Sequence, residues 1–484
     1  MRGANVARPE VEDPSDSHLT DAGSWCLEMK ERLATHMAVT LAGLLLLCGP
    51  AAQAQVPPGT FKPLVQKDLS RTRDPVVLHG EDVLQMIGFP LAGFRLFSFQ
   101  ADRLVPVPFQ IDEIDAEGFY VLPQGKEPNR DTGRRGKEKE LDGALDGNDE
   151  IVFMAEDLGD QASREAWPAG EQTGVEITVT DPKGRGTGWA YLFWFENPPP
   201  ECPRDYVRYA PEEDRIHAAC FTLGYSPERD LVYTTYVAAT PEGGGNNEDL
   251  LDRIKIRFSA TVLIRAITFS RNEDDFVSFV IAYKDGPIRA MRRVVNSMRL
   301  VAGLKTPKII AYSMYYRDAI EAPNRIDIPM AISVVAREVH FEGGSDYTHQ
   351  AVGMRFYTSS NPQGVLVDGR MSPEEETLDP GDHDWTLLAG PQGNLLARIE
   401  LGPGLREILG KELLYEDDIL KVDAPEDETG TVPRVAFSFT NIMGLKKGKY
   451  SYNVRFYFLP PYLPGQESAY LDILDHPLKV HVSP

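Results

Sequence analysis

An acidic stretch with two glycines, LDGALDGNDEIVFMAEDLGD at residues 141–160, has the composition of a metal-binding loop. Calcium binds six to eight oxygen atoms, which proteins supply from carboxylates, amides and backbone carbonyls on tight loops. The candidate ligands are Asp142, Asp146, Asn148, Asp149 and Glu150. The same residue types are typical of a plain turn before a buried strand, so both interpretations stay open. Ca²⁺ is the one cofactor that the sequence suggests.

A second stretch whose residue types could form a functional site is YKDGPIRAMRRVV at residues 283–295. It places Arg289, Arg292 and Arg293 close together in an otherwise acidic chain. Arginine binds carboxylates through paired hydrogen bonds, so these residues are candidates for binding an acidic sugar or another anion. The alternative is that they pair with the acidic residues 273–275.

Residues suited to proton transfer or sugar stacking lie further along the chain. Tyr347 and His349 in SDYTHQ, and His383 in DPGDHDW, are candidate catalytic residues, because histidine titrates near neutrality and both types serve as acids or bases. Trp385 is a candidate for stacking on substrate. In the alternative interpretation the histidines face solvent and Trp385 packs in the core. The motifs GxSxG, HExxH, CxxC and GxxxxGK[ST] are absent from the sequence.

The N-terminal residues resemble a secretory leader. An apolar run at residues 37–49 follows Lys30 and Arg32 and precedes the sequence Ala-Gln-Ala. This order fits a leader over residues 1–54 that is cleaved after Ala54. We therefore expect a periplasmic or secreted protein, with no transmembrane segment in the mature chain.

Charge and cysteine content support the same picture. The formal net charge of −23 over 484 residues disfavours nucleic acid as a partner, since an acidic surface repels phosphates. Of four cysteines, two lie in the expected leader. In an oxidising compartment the remaining pair, Cys202 and Cys220, is predicted to form a disulfide.

Alternating apolar and polar residues, the pattern of half-buried strands, dominate the mature chain. The segment 449–458 places tyrosines, valine and phenylalanines on one face and Asn453 and Arg455 on the other. One amphipathic helix is predicted over residues 404–414. Further predicted strands are EITVT (176–180), GWAYLFWF (188–195), FVSFVIAY (276–283), AVGMRFY (351–357) and RVAFSFT (434–440).

Many short strands separated by turns predict an all-β protein built from antiparallel β-sandwiches. The proline-rich segment ENPPPECPR at residues 196–204 reads as a linker. We therefore predict a smaller N-terminal β-domain over residues 55–200 and a larger sandwich domain over residues 201–484.

The segment DGPIRAMRRV at residues 285–294 resembles the GPxRxxxxV strand of galactose-mutarotase-like β-supersandwich proteins, which act on polysaccharides. The resemblance implies a supersandwich-like C-terminal domain that receives sugar. It assigns no catalytic residue, because no other motif of that family matches.

Three functions fit these features. The first is an exported carbohydrate-binding or carbohydrate-active protein, including a polysaccharide lyase or hydrolase. The second is a non-catalytic scaffold or assembly protein of the cell envelope, and the third is a calcium-dependent adhesin-like module. The expected partners are accordingly polysaccharides or envelope proteins.

Overall fold

Strands are the main element of the fold, and several of them alternate between buried and half-buried residues. In Thr173–Thr180, for example, Val175, Ile177 and Val179 are fully buried. The computed structural model describes residues 61–131, 143–226, 234–263, 267–299, 305–306 and 309–484. The predicted all-β class is confirmed.

The first strands of the described residues are β1 (Pro75–His79), β2 (Phe94–Gln100), β3 (Arg103–Pro106), β4 (Gln110–Asp112), β5 (Gln124–Gly125), β6 (Glu150–Met154), β7 (Thr173–Thr180), β8 (Thr187–Trp194), β9 (Val207–Ala210), β10 (Arg215–Ala218), β11 (Phe221–Tyr225) and β12 (Thr234–Ala239). The later strands are β13 (Leu251–Val262), β14 (Ile267–Asn272), β15 (Phe276–Lys284), β16 (Ala290–Met298), β17 (Ile309–Tyr315), β18 (Ala319–Ile328), β19 (Ala336–Tyr347), β20 (Arg355–Thr358), β21 (Val365–Leu366), β22 (Thr386–Gly390), β23 (Gly393–Leu401), β24 (Gly410–Glu416), β25 (Arg434–Thr440), β26 (Gly448–Phe458) and β27 (Lys479–Ser483).

Helices are short and few. The α-helices of the described residues are α1 (Ile332–Val335), α2 (Pro373–Glu376), α3 (Pro403–Arg406) and α4 (Glu467–Asp475). Short 3₁₀ segments occupy Gly80–Met86, Leu91–Gly93, Ala155–Asp157, Arg164–Ala166, Glu273–Asp275, His349–Ala351 and Ile442–Gly444. None of the described helices is long and apolar enough to span a bilayer.

The described strands pair antiparallel in five sheets. The largest is a ten-stranded sheet in the order β21-β20-β22-β23-β26-β18-β17-β16-β15-β5. A five-stranded sheet (β14-β13-β19-β25-β24) and a four-stranded sheet (β12-β11-β10-β9) share a core with it. The N-terminal part has a second five-stranded sheet (β27-β7-β8-β2-β3) and a three-stranded sheet (β1-β6-β4).

Stacked aromatic rings join the sheets that form the main core. Phe221 of the four-stranded sheet stacks on Phe458 of the ten-stranded sheet, with ring centroids 4.3 Å apart. Phe356 of the ten-stranded sheet stacks on Tyr415 of the neighbouring five-stranded sheet at 4.7 Å. Such side chains contribute roughly 1.5–3 kcal/mol each when buried, so this layer stabilises the sandwich.

The last described strand lies in the N-terminal five-stranded sheet. Strand β27 pairs with β7 from Lys479 opposite Thr180 to Ser483 opposite Glu176. Residues Gly59–Pro484 form one compact unit. The division into domains 55–200 and 201–484 stays a prediction, and the last strand crosses it.

The helix predicted over residues 404–414 is wrong. Helix α3 ends after one turn, and β24 then begins at Gly410 and pairs along its length with β25. Leu405 is buried by the single turn, whereas Leu413 is buried because alternate residues of β24 face the core. Pairing with β25, which lies some twenty residues later, overrides the local helical pattern.

Candidate functional site

The two charged stretches singled out in the sequence meet at the side chain of Arg289. Its Nε atom donates to Asp112 Oδ2 at 2.8 Å, and Nη2 donates to Glu150 Oε2 at 2.5 Å. Nη1 donates to the Tyr316 hydroxyl at 3.1 Å. Arg289 and Asp112 are almost completely buried, so this arginine is committed to internal partners.

Asp112 carries a further set of partners. Lys284 Nζ lies 2.7 Å from Asp112 Oδ1, and Gln110 Nε2 donates to both carboxylate oxygens. Burial alone would raise the pKa of Asp112, but Arg289 and Lys284 outweigh burial and hold the pKa below its ordinary value. Asp112 is therefore ionised, and the cluster joins β4 to the start of β16.

Arg292 occupies a second enclosed position, on the side of β16 that faces the four-stranded sheet. Its Nη2 donates to Asp214 Oδ1 at 2.6 Å. Its guanidinium carbon lies 3.7 Å from the ring centroid of Tyr225 and 5.1 Å from that of Tyr209. The side chain is fully buried, so Arg292 has its anion and its aromatic partners within the protein.

The acidic residues 273–275 are not the partners of Arg289 or Arg292. Glu273 contacts Arg257 at 2.6 Å, and Asp275 contacts Arg271 at 3.8 Å. The partners suggested from proximity in sequence were therefore wrong. The acids that do pair with the two arginines come from strands and turns distant in sequence.

Arg293 differs from its neighbour, because successive residues of a strand face opposite sides of the sheet. It lies opposite Tyr312 in the pairing of β16 with β17. On the adjacent strands Glu321 is opposite Arg455, and Arg455 is opposite Arg398. We use the term outer polar face for the group Arg293, Tyr312, Glu321, Arg398, Glu400, Asn453 and Arg455.

Ion pairs run across the centre of the outer polar face. Arg455 lies between two carboxylates, with its Nε 3.3 Å from Glu321 Oε1 and its Nη1 paired to Glu400. Arg398 Nε lies 3.3 Å from Glu400 Oε1, and its Nη1 lies 2.9 Å from Asp475 at the end of α4. These side chains are 11–41% exposed, so the network is half-buried rather than sealed.

Several polar atoms on this face have no hydrogen-bond partner among the described residues. They are Arg293 Nε, the Tyr312 hydroxyl, Asn453 Oδ1 and Arg455 Nε. Arg455 Nε is within ion-pair distance of Glu321 without being aligned for a hydrogen bond. Buried polar atoms in native proteins are usually paired, so a cluster of unpaired donors and acceptors calls for an explanation.

Aromatic rings border the outer polar face. Phe119 stacks on Tyr312 with ring centroids 6.4 Å apart and an interplanar angle of 17°. Tyr120 contacts the same ring edge-on at 6.2 Å. Burial raises the pKa of Tyr312 against the lowering effect of Arg293. Phe119 is 37% exposed, so an apolar ring surface lies beside the unpaired polar atoms.

Of this face, sequence reasoning singled out only Arg293 as a site residue. The alternation over residues 449–458 did separate Asn453 and Arg455 from the aromatic side of that strand. The missing information was which strands are neighbours, since the face is assembled from five strands between β16 and β23.

The candidate proton-transfer residues Tyr347 and His349 lie in different surroundings. Tyr347 belongs to the main core, and burial raises its pKa to about 12. His349 is exposed, with Nδ1 3.5 Å from Glu428 Oε2. Their catalytic roles stay predictions.

His383 and Trp385 are both buried. His383 Nε2 lies 2.5 Å from the backbone oxygen of Asp379, and Nδ1 lies 3.2 Å from Ser360 Oγ. Trp385 is 9% exposed and packs in the apolar cluster under α4. Neither side chain touches the outer polar face through a described contact, and their roles also stay predictions.

The acidic loop uses its side chains to order itself. Asp149 Oδ1 accepts from the Ile114 amide at 2.9 Å and Oδ2 from the Asp146 amide at 2.7 Å. Asn148 Nδ2 donates to the Ile114 carbonyl at 2.6 Å, and Glu150 accepts from Arg289. Burial raises the pKa of Asp149 to about 7.

A calcium site at this loop stays a prediction. Asp142, one of its candidate ligands, lies outside the described residues. Within the described part of the chain, no group of three or more His, Cys, Asp or Glu side chains is arranged to hold a metal ion.

Cys202 and Cys220 are free thiols in the structure, so the predicted disulfide is not formed there. Cys220 is fully buried in the main core, where burial raises its pKa to about 12. Cys202 is half-buried and borders a cleft beside Phe94 and Pro287. The two sulfur atoms thus lie in different environments. The disulfide prediction rested on the oxidising compartment that both cysteines would share, and a compartment gives no information about the local surroundings of each thiol.

Comparison with known proteins gives distant matches only. No family model matches the chain, and no curated protein matches it. Matching solved structures include an alpha-mannosidase from Enterococcus faecalis V583, with a TM-score of 0.44 and 8% identity over 89% of this chain and 47% of that one. Another is a protein in the glycosyl hydrolase family 38 from Enterococcus faecalis, with a TM-score of 0.43 and 8% identity over 89% and 48%. The chain spans about half the length of these structures, and similarity this distant supports no statement about activity.

Proposed function

We propose that this is an exported protein that binds carbohydrate on the outer polar face. The observation that carries the proposal is the cluster of unpaired polar atoms on Arg293, Tyr312, Asn453 and Arg455 beside exposed aromatic surface. Leaving such atoms without partners costs about 1–3 kcal/mol each. The four atoms are themselves shielded from solvent, so a ligand recovers that free energy when the half-buried side chains that carry them turn toward it.

Carbohydrate has the matching chemistry. Sugar hydroxyl groups both donate and accept, so they can pair with Arg293 Nε as donor and with Asn453 Oδ1 as acceptor. The C–H faces of a sugar ring are apolar and pack on aromatic rings such as Phe119. A single half-exposed face thus offers both kinds of contact.

Binding is a better match to this face than bond cleavage. Each of the two carboxylates at its centre, Glu321 and Glu400, contacts Arg455. A glycoside hydrolase of the usual kind needs one protonated and one ionised carboxyl group flanking the scissile bond. Glu321 and Glu400 are instead both held in ion pairs with Arg455, so the face favours recognition over acid catalysis.

The test is binding to a panel of uronate and neutral polysaccharides, measured by affinity electrophoresis and calorimetry. We expect retention on at least one glycan, weakened tenfold or more by Tyr312→Ala. The matched control is Tyr236→Ala, which removes a half-buried strand tyrosine that also contacts an arginine, Arg215 at 4.3 Å, on the four-stranded sheet.

Two results would overturn the proposal. The first is the absence of retention on every glycan, which would favour the envelope-scaffold alternative. The second is retention that Tyr312→Ala and Tyr236→Ala weaken equally, because the ligand would then not contact the outer polar face. Export itself is tested by N-terminal sequencing of the secreted protein, which should begin at Gln55.

A further inference from the structure

A separate cleft of about 280 Å³ opens between β2, the segment that joins β3 to β4, and the proline-rich segment around residue 200. Its walls are mainly apolar and include Leu91, Phe94, Val107, Phe109 and Pro287. An apolar cavity of about 150 Å³ suffices to bind benzene, so this cleft has room for a molecule of roughly ten to twelve non-hydrogen atoms.

One cation, Arg95, lines this apolar cleft. Its side chain is nine-tenths buried, and it donates to the backbone oxygens of Pro199 at 2.6 Å, Ala92 at 3.0 Å and Phe94 at 2.6 Å. These carbonyl groups hold the guanidinium in place but carry no net charge. Burial lowers the pKa of Arg95 against the raising effect of Glu201.

The only carboxylate near Arg95 among the described residues is Glu201. Its Oε1 lies 3.4 Å from Arg95 Nη1, and its side chain is 73% exposed. An ion pair of this kind is weak, since water competes for a carboxylate that is largely in solvent. Glu201 therefore covers the cation loosely and can be displaced by another anion.

We propose that this cleft binds a small molecule with a carboxylate head and an apolar body. The carboxylate pairs with Arg95 in place of Glu201, and the apolar part packs against Leu91, Phe94 and Phe109. Arginine is the side chain best suited to this recognition, because its planar fork matches a carboxylate. The site is independent of the outer polar face.

The probe is 3-phenylpropionate, with 3-phenylpropionamide as its uncharged counterpart, titrated into the full-length mature protein by calorimetry at neutral pH. We expect the carboxylate to bind at least tenfold more tightly than the amide. Glu201→Gln removes the competing anion and should tighten carboxylate binding threefold or more while leaving amide binding unchanged. The matched control is Glu212→Gln, which removes one exposed negative charge outside the cleft and should change neither.

A second variant separates loss of binding from loss of folding. Ala92 is exposed at the cleft, so Ala92→Trp should fill the cleft without disturbing the core, and it should abolish binding while the thermal transition stays in place. Cys202 gives an independent readout, because bound 3-phenylpropionate should slow modification of this thiol by a disulfide reagent. The proposal would be overturned by equal affinity for acid and amide, or by no effect of Glu201→Gln. It would also be overturned if no binding were detected at a probe concentration about 20-fold above 1 mM.

Discussion

The guanidinium of Arg289 contacts the carboxylate of Asp112 at 2.7–2.8 Å, although the two residues lie 177 positions apart in the chain. Asp112 ends β4 in the N-terminal part, and Arg289 directly precedes β16 in the ten-stranded sheet. Both residues of the pair are buried, so their contact fixes how these two strands are placed relative to each other.

Replacing Asp112 with alanine should destabilise the protein strongly. The substitution leaves Arg289 and Lys284 without their shared anion, and breaking a buried pair from one side costs about 3–5 kcal/mol. Urea unfolding measures the change. The double variant Asp112→Leu with Arg289→Met should recover part of the loss, because no buried guanidinium is then left without Asp112. The recovery should be partial, since Lys284 and Glu150 each still lose a partner.

The control for that experiment is Asp102→Asn. Asp102 is exposed and has a left-handed backbone with a φ of 62°, which asparagine tolerates. The free energy of unfolding of the Asp102→Asn variant should stay within about 0.5 kcal/mol of that of the parent protein. A loss in Asp112→Ala no larger than in this control would contradict the role assigned to the buried pair.

Tyr312→Phe should stabilise the fold and weaken glycan binding. The Tyr312 hydroxyl is buried beside Arg293 without a well-aligned hydrogen bond, so removing it should raise the free energy of unfolding by about 0.5–1.5 kcal/mol. Tyr470→Phe is the matched comparison, because its hydroxyl is also buried and unpaired but belongs to α4, outside the outer polar face. Chemical unfolding and glycan calorimetry on both variants distinguish the cases, since only Tyr312→Phe should lower affinity. Equal affinities would mean that the ligand does not reach this hydroxyl.

The sequence predicted the strands well where the pattern is local. Strands β26 and β25 occur where alternation placed them, and Asn453 and Arg455 lie on the side of β26 opposite Tyr450, Tyr452, Phe456 and Phe458. The period of two is a property of a single strand, so it needs no knowledge of neighbours. Residues 404–414 failed because pairing with a distant strand decided their conformation.

The charged partners could not be found from sequence. The chain has 73 acidic residues, and choosing the nearest ones, residues 273–275, gave the wrong partners for Arg289 and Arg292. Asp112 and Asp214 come into reach only through sheet pairing and the packing of sheets. The same limit explains why the outer polar face was missed apart from Arg293.

Cys202 and Cys220 should react very differently with a thiol reagent. Cys202 is half-buried at the cleft, whereas Cys220 is fully buried with a pKa raised to about 12, which suppresses the reactive thiolate. Titration of the native protein should therefore modify one thiol, and urea should release the second. Peptide mapping identifies each. Two unreactive thiols that appear only after reduction would instead indicate a disulfide.

Stability should decrease as the pH rises from about 4 to 7. Burial raises the pKa of Asp149 to about 7, and it raises those of Asp157, Asp249, Asp252 and Asp417 to about 6, from an ordinary value of 3.8. A group with a raised folded pKa binds more protons in the folded state. Its contribution to stability is therefore complete below the unfolded pKa and is lost as the pH rises through the folded pKa.

Urea midpoints measured from pH 4 to pH 8 test this expectation. The free energy of unfolding should fall by at least about 1 kcal/mol across the range, even after discounting for the water that reaches these groups. Asp149→Asn removes the group with the highest of these pKa values, so it should reduce the slope between pH 5 and 7, whereas Asp102→Asn should leave the slope unchanged. Stability that rises with pH over this interval would contradict the expectation. A slope that Asp149→Asn leaves unchanged would show that the backbone amides of Ile114 and Asp146 keep Asp149 ionised despite its burial.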